Sequence, residues 1–276
     1  MRRRAARRAR GLARILCAMG FVQAVAHAEA TSAADRGFDR DRSSHFVLYQ
    51  DADTAHRTGD NGSKNFDREV LQSLEAAHER LAKLLDLVPR RSITVVVYDP
   101  QVFDRDFGAV LPFPAAGFYQ GVIRVRGLAR VTPDLEQVLH HEYVHAAFDA
   151  VAPFLVLPAL LNEGIAEWFA RATTGAPSLA PGEARWLLDA GANGALPPLS
   201  ALLDPSFGGL NANDAARAYV TSTAFVAFLV RQGGDVGLRE LCRTLLRTGN
   251  LDRAFERAYG RSLAELDEEF RAQFVP

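Results

Sequence analysis

The sequence predicts an α+β fold, in which a small N-terminal mixed sheet with one helix precedes a mostly helical C-terminal part. Segments with the β-branched or alternating pattern of strands all occur before residue 130. From Pro133 onward, every periodic segment has helical spacing, and prolines and glycines stand at the expected helix ends. With 48% hydrophobic and 24% charged residues in 276, the composition excludes a disordered, collagen-like or coiled-coil chain.

The first 28 residues have the order of a secretory signal peptide. Seven arginines and no acidic residue lie between Arg2 and Arg14, an apolar run follows over 15–26, and a small-x-small triplet ends at Ala28. The apolar run is too short to span a bilayer comfortably. We therefore expect cleavage after Ala28 and export, to the periplasm or the medium. A membrane is expected as a partner only if this segment stays uncleaved.

Charge and cysteine content narrow the partners of the mature chain. Without the seven N-terminal arginines, 25 basic residues face 33 acidic ones, a formal charge of −8. Such an acidic chain is a poor candidate for binding nucleic acid. Cys17 leaves with the signal peptide and Cys242 remains on an apolar helical stretch. Any metal must therefore be held by histidines and carboxylates.

The elements after the signal peptide follow in a simple order. Residues 29–44 are predicted to be a polar linker, and 45–276 one domain, made of a sheet followed by a long helix (45–151) and of a helical subdomain (152–276). Predicted strands are 45–50, 93–98 and a hairpin or edge strand over 117–126. A helix is predicted over 65–87, ended by Pro89. The later helices are predicted at 133–151, 158–171, 181–190, 215–232, 236–247, 251–259 and 262–274.

The predicted helix over 133–151 contains the motif His141-Glu142-x-x-His145. Residues four apart lie one turn above each other, so His141 and His145 can present two imidazoles to one ion. Glu142, beside the first of them, can act as general base towards the attacking water. This motif is therefore the first candidate for the functional site.

A second helix offers two carboxylates with the same spacing. A catalytic zinc needs three protein ligands and one open position, and 17 residues separate His145 from Glu163. That length permits a turn and an antiparallel return, which would bring Glu163 to the ion as third ligand. Glu167, one turn further, would then hydrogen-bond and orient a ligand imidazole.

Together, His141-Glu142-x-x-His145 and Asn162-Glu163-Gly-x-Ala-Glu167 resemble the gluzincins, the thermolysin-like and aminopeptidase-N-like zinc metallopeptidases. Within that clan the chain looks most like small exported peptidase-MA-type metallohydrolases. The resemblance implies a zincin-like fold, one Zn²⁺ per chain, a peptide or protein substrate, and the ligand and base roles given above. The family often has Trp-Leu before its Glu-Gly, where this chain has Leu161-Asn162.

Two further roles are implied by the resemblance. Tyr219, at the start of a later predicted helix, corresponds to the donor that stabilises the tetrahedral oxyanion; Tyr143 points away from the ligand face. An edge strand over 117–124 would pair with the extended substrate. The glycine-rich exopeptidase motif that precedes HExxH in related aminopeptidases is missing from this sequence, which favours an endopeptidase or a restricted natural substrate.

Other interpretations of the same residues stay open. A degenerate zincin could keep the fold and serve as a non-catalytic envelope binding or assembly module, and a helical interaction protein would need no metal. Glu167 could be a solvated helix residue, and His140 is expected to be packing or surface. Residues expected on the surface or in a polar loop are His45, His56, His78, Asp104 and Asp106.

Overall fold

The computed structural model describes residues 38–50, 62–108 and 116–275. The expected signal peptide, the first part of the expected linker and His56 lie outside these residues. The chain forms two compact units: the described residues of Met1–Glu79 with Pro89–Ala150, and Arg80–Val88 with the described residues of Val151–Pro276. No helix within the described ranges has the length and apolar character needed to cross a membrane.

The first unit contains a five-stranded mixed sheet, as expected. Its order is β1-β2-β3-β5-β4. The three inner strands run parallel, and β1 and β4 are antiparallel to their neighbours at the two edges. The strands are β1 (Asp39–Arg42), β2 (Phe46–Gln50), β3 (Ile93–Tyr98), β4 (Gly117–Tyr119) and β5 (Ile123–Arg126).

Both edge strands refine the sequence interpretation. The expected linker over 29–44 includes β1, whose four residues alternate aspartate and arginine and are all exposed. Such a segment has no apolar face to indicate a strand, and β1 forms because it pairs with β2. The hairpin over 117–126 is confirmed, but only β4 is an edge strand, because β5 lies between β3 and β4.

Three helices accompany the sheet: α1 (Gly62–Leu85), α2 (Pro100–Phe107) and α3 (Pro133–Val151). Helix α1 ends two residues earlier than expected, where Asp86 adopts a left-handed conformation with φ of 58°. The helix expected at 133–151 is confirmed with the same bounds. Residues of α1 after Glu79 belong to the second unit.

Helix α2 contradicts the expected polar loop around Asp104 and Asp106. The Asp99 carboxylate accepts hydrogen bonds from the backbone of Gln101 and Val102, and Pro100 occupies the first helical position. On this helix, both carboxylate oxygens of Asp104 accept from Arg126, at 2.9 Å each. The sequence interpretation took Pro100 only as the end of β3 and missed its role as a helix start.

Helix α3 is a core element. All residues from Val138 to Phe148 are buried, so no face of the helix is exposed to solvent over its middle turns. It lies close to the sheet: a Cβ at Gly117 of β4 would be 3.0 Å from Val138, and Phe46 of β2 makes an edge contact with Tyr143. The HExxH sequence is therefore in the protein interior.

The second unit is helical, as predicted. Helix α6 (Ala212–Thr248) is interrupted at Gly234, whose φ of 60° and ψ of −167° are not helical, so the two helices expected at 215–232 and 236–247 are confirmed as its two parts. Phe225 and Phe228 of α6 pack against Phe255 and Phe270 in an aromatic core. The helices are α4 (Ala159–Thr174), α5 (Pro181–Ala192), a 3₁₀-helix (Leu199–Leu202), α6 (Ala212–Thr248), α7 (Leu251–Tyr259) and α8 (Leu263–Ala272).

Gly164 marks the point where α4 and α6 approach most tightly. A Cβ at this position would lie 2.7 Å from the carbonyl oxygen of Ser222 and 2.9 Å from a methyl carbon of Val226. Any larger residue would force the two helices apart. The glycine that follows Glu163 in the sequence motif therefore has a packing role, and it fixes the neighbouring Glu163 relative to α6.

Candidate metal centre

His141 and His145 present the same ring atom to the same place. Both lie on α3, one turn apart, and their residues are 0% and 1% exposed. Their Nε2 atoms are 3.1 Å apart. Two nitrogens bound at 2.0–2.1 Å to one tetrahedral zinc would be roughly 3.3 Å apart. The imidazoles thus have the separation that a shared metal ion requires.

Glu163 of α4 completes a buried group of three. One carboxylate oxygen of Glu163 and one ring nitrogen from each of His141 and His145 all lie within 4.8 Å of one another. In the described part of the chain, this is the one group of three or more His, Cys, Asp or Glu residues close enough to hold an ion. Two imidazoles and a carboxylate suit zinc, and other divalent transition metals also accept them.

Glu142 is a buried carboxylate beside the first of these ligands. It is 1% exposed and follows His141 directly on α3. A carboxylate inside the protein has to be matched by hydrogen bonds, charges or a metal nearby. Its burial is compatible with a function inside the site, and its role as general base stays a prediction.

Two residues of α1, Ser73 and His78, form hydrogen bonds that hold α3 in position. The Nε2 atom of His140 lies 3.1 Å from both the hydroxyl and the carbonyl oxygen of Ser73. Because a carbonyl only accepts, Nε2 carries the proton and donates. Five residues further along α1, Nδ1 of His78 is 2.7 Å from the hydroxyl of Tyr143. The helix is therefore held by neutral donors and acceptors on both sides of His141.

Burial keeps this network uncharged. It lowers the pKa of His140 to about 4, and the hydrogen bond to Ser73 offsets only part of that shift. Burial, with the nearby His45 second, also lowers the pKa of His78. His140 is packed, in agreement with one of the two expected readings. The surface position expected for His78 is wrong, because nothing in its sequence context indicated Tyr143 as a partner.

The network continues outward to a partly exposed acid. The rings of His45 and His78 are stacked with centroids 3.7 Å apart. Nδ1 of His45 is 2.6 Å from one carboxylate oxygen of Glu75, and the His45 backbone amide donates to the other at 2.9 Å. The surface expectation for His45 is thus correct only in part, because its side chain is 41% exposed and paired.

Glu167 is buried, which contradicts its interpretation as a solvated residue. Its Oε1 accepts a 2.6 Å hydrogen bond from Nε of Arg171, one turn later on α4. Both terminal nitrogens of Arg171 donate to Glu183 of α5, at 2.6 and 2.9 Å. These three residues form a charge triad in the second unit, in which both carboxylates are buried and Arg171 is partly buried.

The triad carries a fixed charge distribution. Burial alone would lower the pKa of Arg171, but the hydrogen bond to Glu183 and the two neighbouring carboxylates raise it above its usual range. Arg171 and Glu183 were missed by the sequence interpretation. The spacing of Glu167 and Arg171 is that of a helical ion pair, and Glu183 is the third residue after a predicted helix start. Both signals are common on surface helices and do not indicate burial.

Tyr219 lies near the crossing of α4 and α6. It is buried on α6, with its ring in edge contact with Phe207, and it precedes Ser222 by three residues. Residues three apart share a face of a helix, so Tyr219 is on the side of α6 that meets α4 beside Glu163. Its role as oxyanion donor stays a prediction.

The side chains of β4, which belongs to the segment expected to bind substrate, are buried. All residues of β4 are buried, and the hydroxyl of Tyr119 donates to Asp149 of α3 at 2.6 Å. Arg124 of β5 lies over the ring of Phe118, 5.2 Å from its centroid. The first contact attaches β4 to the C-terminal part of α3 and the second attaches it to β5, and its pairing with a substrate stays a prediction.

Comparison with known proteins adds no name to this site. No protein-family model matches the chain, and no curated protein matches it either. The functional argument therefore rests on the residues and their geometry.

Proposed function

We propose that the protein is an exported, zincin-like zinc metallohydrolase that cleaves peptide bonds. The observation that supports this most is the buried group of His141, His145 and Glu163, with two Nε2 atoms 3.1 Å apart. The three residues are those that the sequence motifs and the resemblance to gluzincins select as ligands. They would hold one Zn²⁺ per chain.

Each residue of the site has a defined task in this proposal. When bound, the metal supplies a Lewis acid that polarises a carbonyl and makes water more acidic. Glu142 takes the proton of the attacking water and later delivers it to the leaving amine. Tyr219 donates a hydrogen bond to the oxyanion. Glu167 keeps a ligand imidazole in one orientation.

The motif also supports a peptide or protein as substrate, because HExxH followed by Asn-Glu-Gly-x-Ala-Glu resembles peptidases. The predicted signal peptide supports a site of action in the periplasm or outside the cell. An acidic mature chain disfavours nucleic acid as a partner.

The metal is tested by the zinc content of the purified protein. We expect about one zinc per chain, and much less in Glu163→Ala, because two imidazoles alone bind zinc weakly. Glu256→Ala, an exposed glutamate of α7, is the matched control and should keep its zinc. Zinc-free wild-type protein, even after loading, would exclude a metallohydrolase.

The catalytic step is tested separately by digestion of casein and of a peptide library. We expect cleavage that a chelator abolishes and that Glu142→Gln reduces by orders of magnitude while zinc stays bound. Glu136→Gln, on the same helix and 40% exposed, should cleave like the wild type. Full activity in Glu142→Gln would contradict the mechanism. A zinc-loaded wild type without cleavage would support the non-catalytic envelope module instead.

A further inference from the structure

The partly buried guanidinium of Arg171 lies between two buried carboxylates, those of Glu167 and Glu183. Its Nε donates to Glu167, its two terminal nitrogens donate to Glu183, and one of them also donates to the carbonyl oxygen of Ser178 at 3.1 Å. Nothing in the proposed mechanism uses this residue. Removing these charges from water costs free energy, because a charge inside a protein is stable only when it is well paired.

The anchor of Arg171 is itself fixed. Glu183 is the third residue of α5, and its Oε2 also accepts from the backbone amide of Ala180 at 2.6 Å. This bond belongs to the start of α5, so the Glu183 carboxylate has a set position before it meets Arg171. The guanidinium is then held by a two-point contact and has little freedom to rotate.

The fixed guanidinium of Arg171 restricts the position of the Glu167 carboxylate. Its Oε1 accepts from Nε of a guanidinium that the two contacts with Glu183 already orient, so this hydrogen bond favours one position of the Glu167 carboxylate. Glu163, Glu167 and Arg171 follow each other at intervals of four along α4 and so lie on one stripe of the helix. The triad therefore begins one turn after the proposed metal ligand.

We propose that Arg171 is a positioning residue for the metal centre, which acts by holding the carboxylate of Glu167 in place from the anchor Glu183. This inference rests on the proposed function, because it needs a metal at His141, His145 and Glu163. A lysine cannot replace the arginine, since a single ammonium cannot reach Glu167 through one nitrogen and Glu183 through two others.

The test is a double-mutant cycle on zinc affinity, measured with the full chain by competition with a chelator. We expect Arg171→Lys and Glu167→Gln each to weaken zinc binding by about 10- to 100-fold, as changes behind a metal ligand do. The double variant should bind no more weakly than Glu167→Gln alone, because Arg171 acts only through Glu167. Arg257→Lys, in the exposed pair with Glu240 of the same unit, is the control and should bind like the wild type.

The thermal unfolding midpoint of each metal-free variant separates positioning from folding. A lower midpoint of Arg171→Lys with unchanged zinc affinity would overturn the inference, and so would fully additive losses in the double variant. If Arg171→Lys does not fold, Glu183→Gln keeps the arginine and removes only the charge of its anchor, and its zinc affinity should still fall. Unchanged affinity in Glu183→Gln would then overturn the inference. A wild type that binds no zinc contradicts the proposed function itself.

Discussion

The two units use opposite chemistry to hold their buried polar side chains. In the strand-containing unit, Ser73 and His78 bind α3 through neutral hydrogen bonds to His140 and Tyr143. In the helical unit, the partly buried Arg171 lies between two buried carboxylates. Burial keeps His140 of the first network uncharged at neutral pH, whereas the second network is built around the positive charge of Arg171.

The two networks differ in charge, and they lie next to different residues of the proposed site in the sequence. The neutral network includes residues on either side of His141, and an imidazole binds a metal only when it is unprotonated. A positive charge beside the ligands would repel the metal cation. The charged triad includes Glu167, whose predicted task requires an ionised carboxylate. The first network therefore adds no cation next to His141, and the second places one next to Glu167.

The largest effect is expected when the charged network loses its cation. Arg171→Met leaves Glu167 and Glu183 buried without a counter-charge, which should lower the free energy of unfolding by about 3–5 kcal/mol. Urea unfolding at pH 7.5 measures this loss. Arg243→Met, in an exposed cluster with Asp86 and Glu240, should cost less than about 1 kcal/mol. Similar losses in the two variants would mean that the triad contributes no more than a surface ion pair.

The neutral network should fail in acid, through His140. Its pKa is about 4 when folded, below the ordinary histidine value of 6.5, so the unfolded chain binds more protons than the folded one between these pH values. The contribution of neutral His140 to the free energy of unfolding is complete above pH 6.5 and is lost as the pH falls towards 4. Between pH 7.5 and 5.0 the loss should reach about 2 kcal/mol.

Urea unfolding of metal-free protein at both pH values checks this slope. His140→Asn removes the titrating ring, so its stability should depend less steeply on pH than that of the wild type, even if it is lower throughout. Arg171→Lys keeps the ring of His140, so it should keep the wild-type slope. An unchanged slope in His140→Asn would show that other groups carry the acid sensitivity.

Much of this architecture could be predicted from the sequence, because it depends on local periodicity. The strand Ile93–Tyr98 and the helix over 133–151 have the predicted bounds, since an apolar run between prolines and a long helical pattern each permit one solution. The helix α2 and the strand β1 were missed for the opposite reason. Each is short and rich in charged residues, so neither has the long apolar periodicity by which the other elements were predicted.

The same distinction applies to the candidate site, where some residues could be predicted from local spacing and others could not. His141, His145 and Glu163 could be selected because helical spacing determines which side chains share a face. The partners of His78 and Arg171 could not, because Tyr143 is 65 residues away from the first and Glu183 lies on another helix. Burial of a charged residue is decided by tertiary packing, and a sequence pattern of Glu and Arg is the same on a surface helix.

The smallest effect is expected at Asp67, a buried carboxylate in the strand-containing unit with a neutral partner. The amide of Gln50, with its nitrogen towards Asp67, donates to both carboxylate oxygens at 2.6 and 3.0 Å. Burial, followed by the charges of Asp41 and Asp39, raises the pKa of Asp67 to about 7. The stability associated with this group is complete below the unfolded pKa of 3.8 and is lost as the pH rises through 7.

Asp67→Asn should therefore stabilise the protein at pH 8, by about 1 kcal/mol once the remaining solvent screening is considered, and should have no such benefit at pH 4. Urea unfolding at the two pH values measures the difference, with the exposed Asp252→Asn as control. The pH dependence has the opposite sign to that of His140, although both side chains are buried in the same unit. A carboxylate beside a neutral amide is disfavoured by burial, whereas the carboxylates beside Arg171 are stabilised as anions. Equal stability of Asp67→Asn and wild type at pH 8 would mean that Gln50 alone compensates the buried charge, and that a cation such as Arg171 is not needed for that purpose.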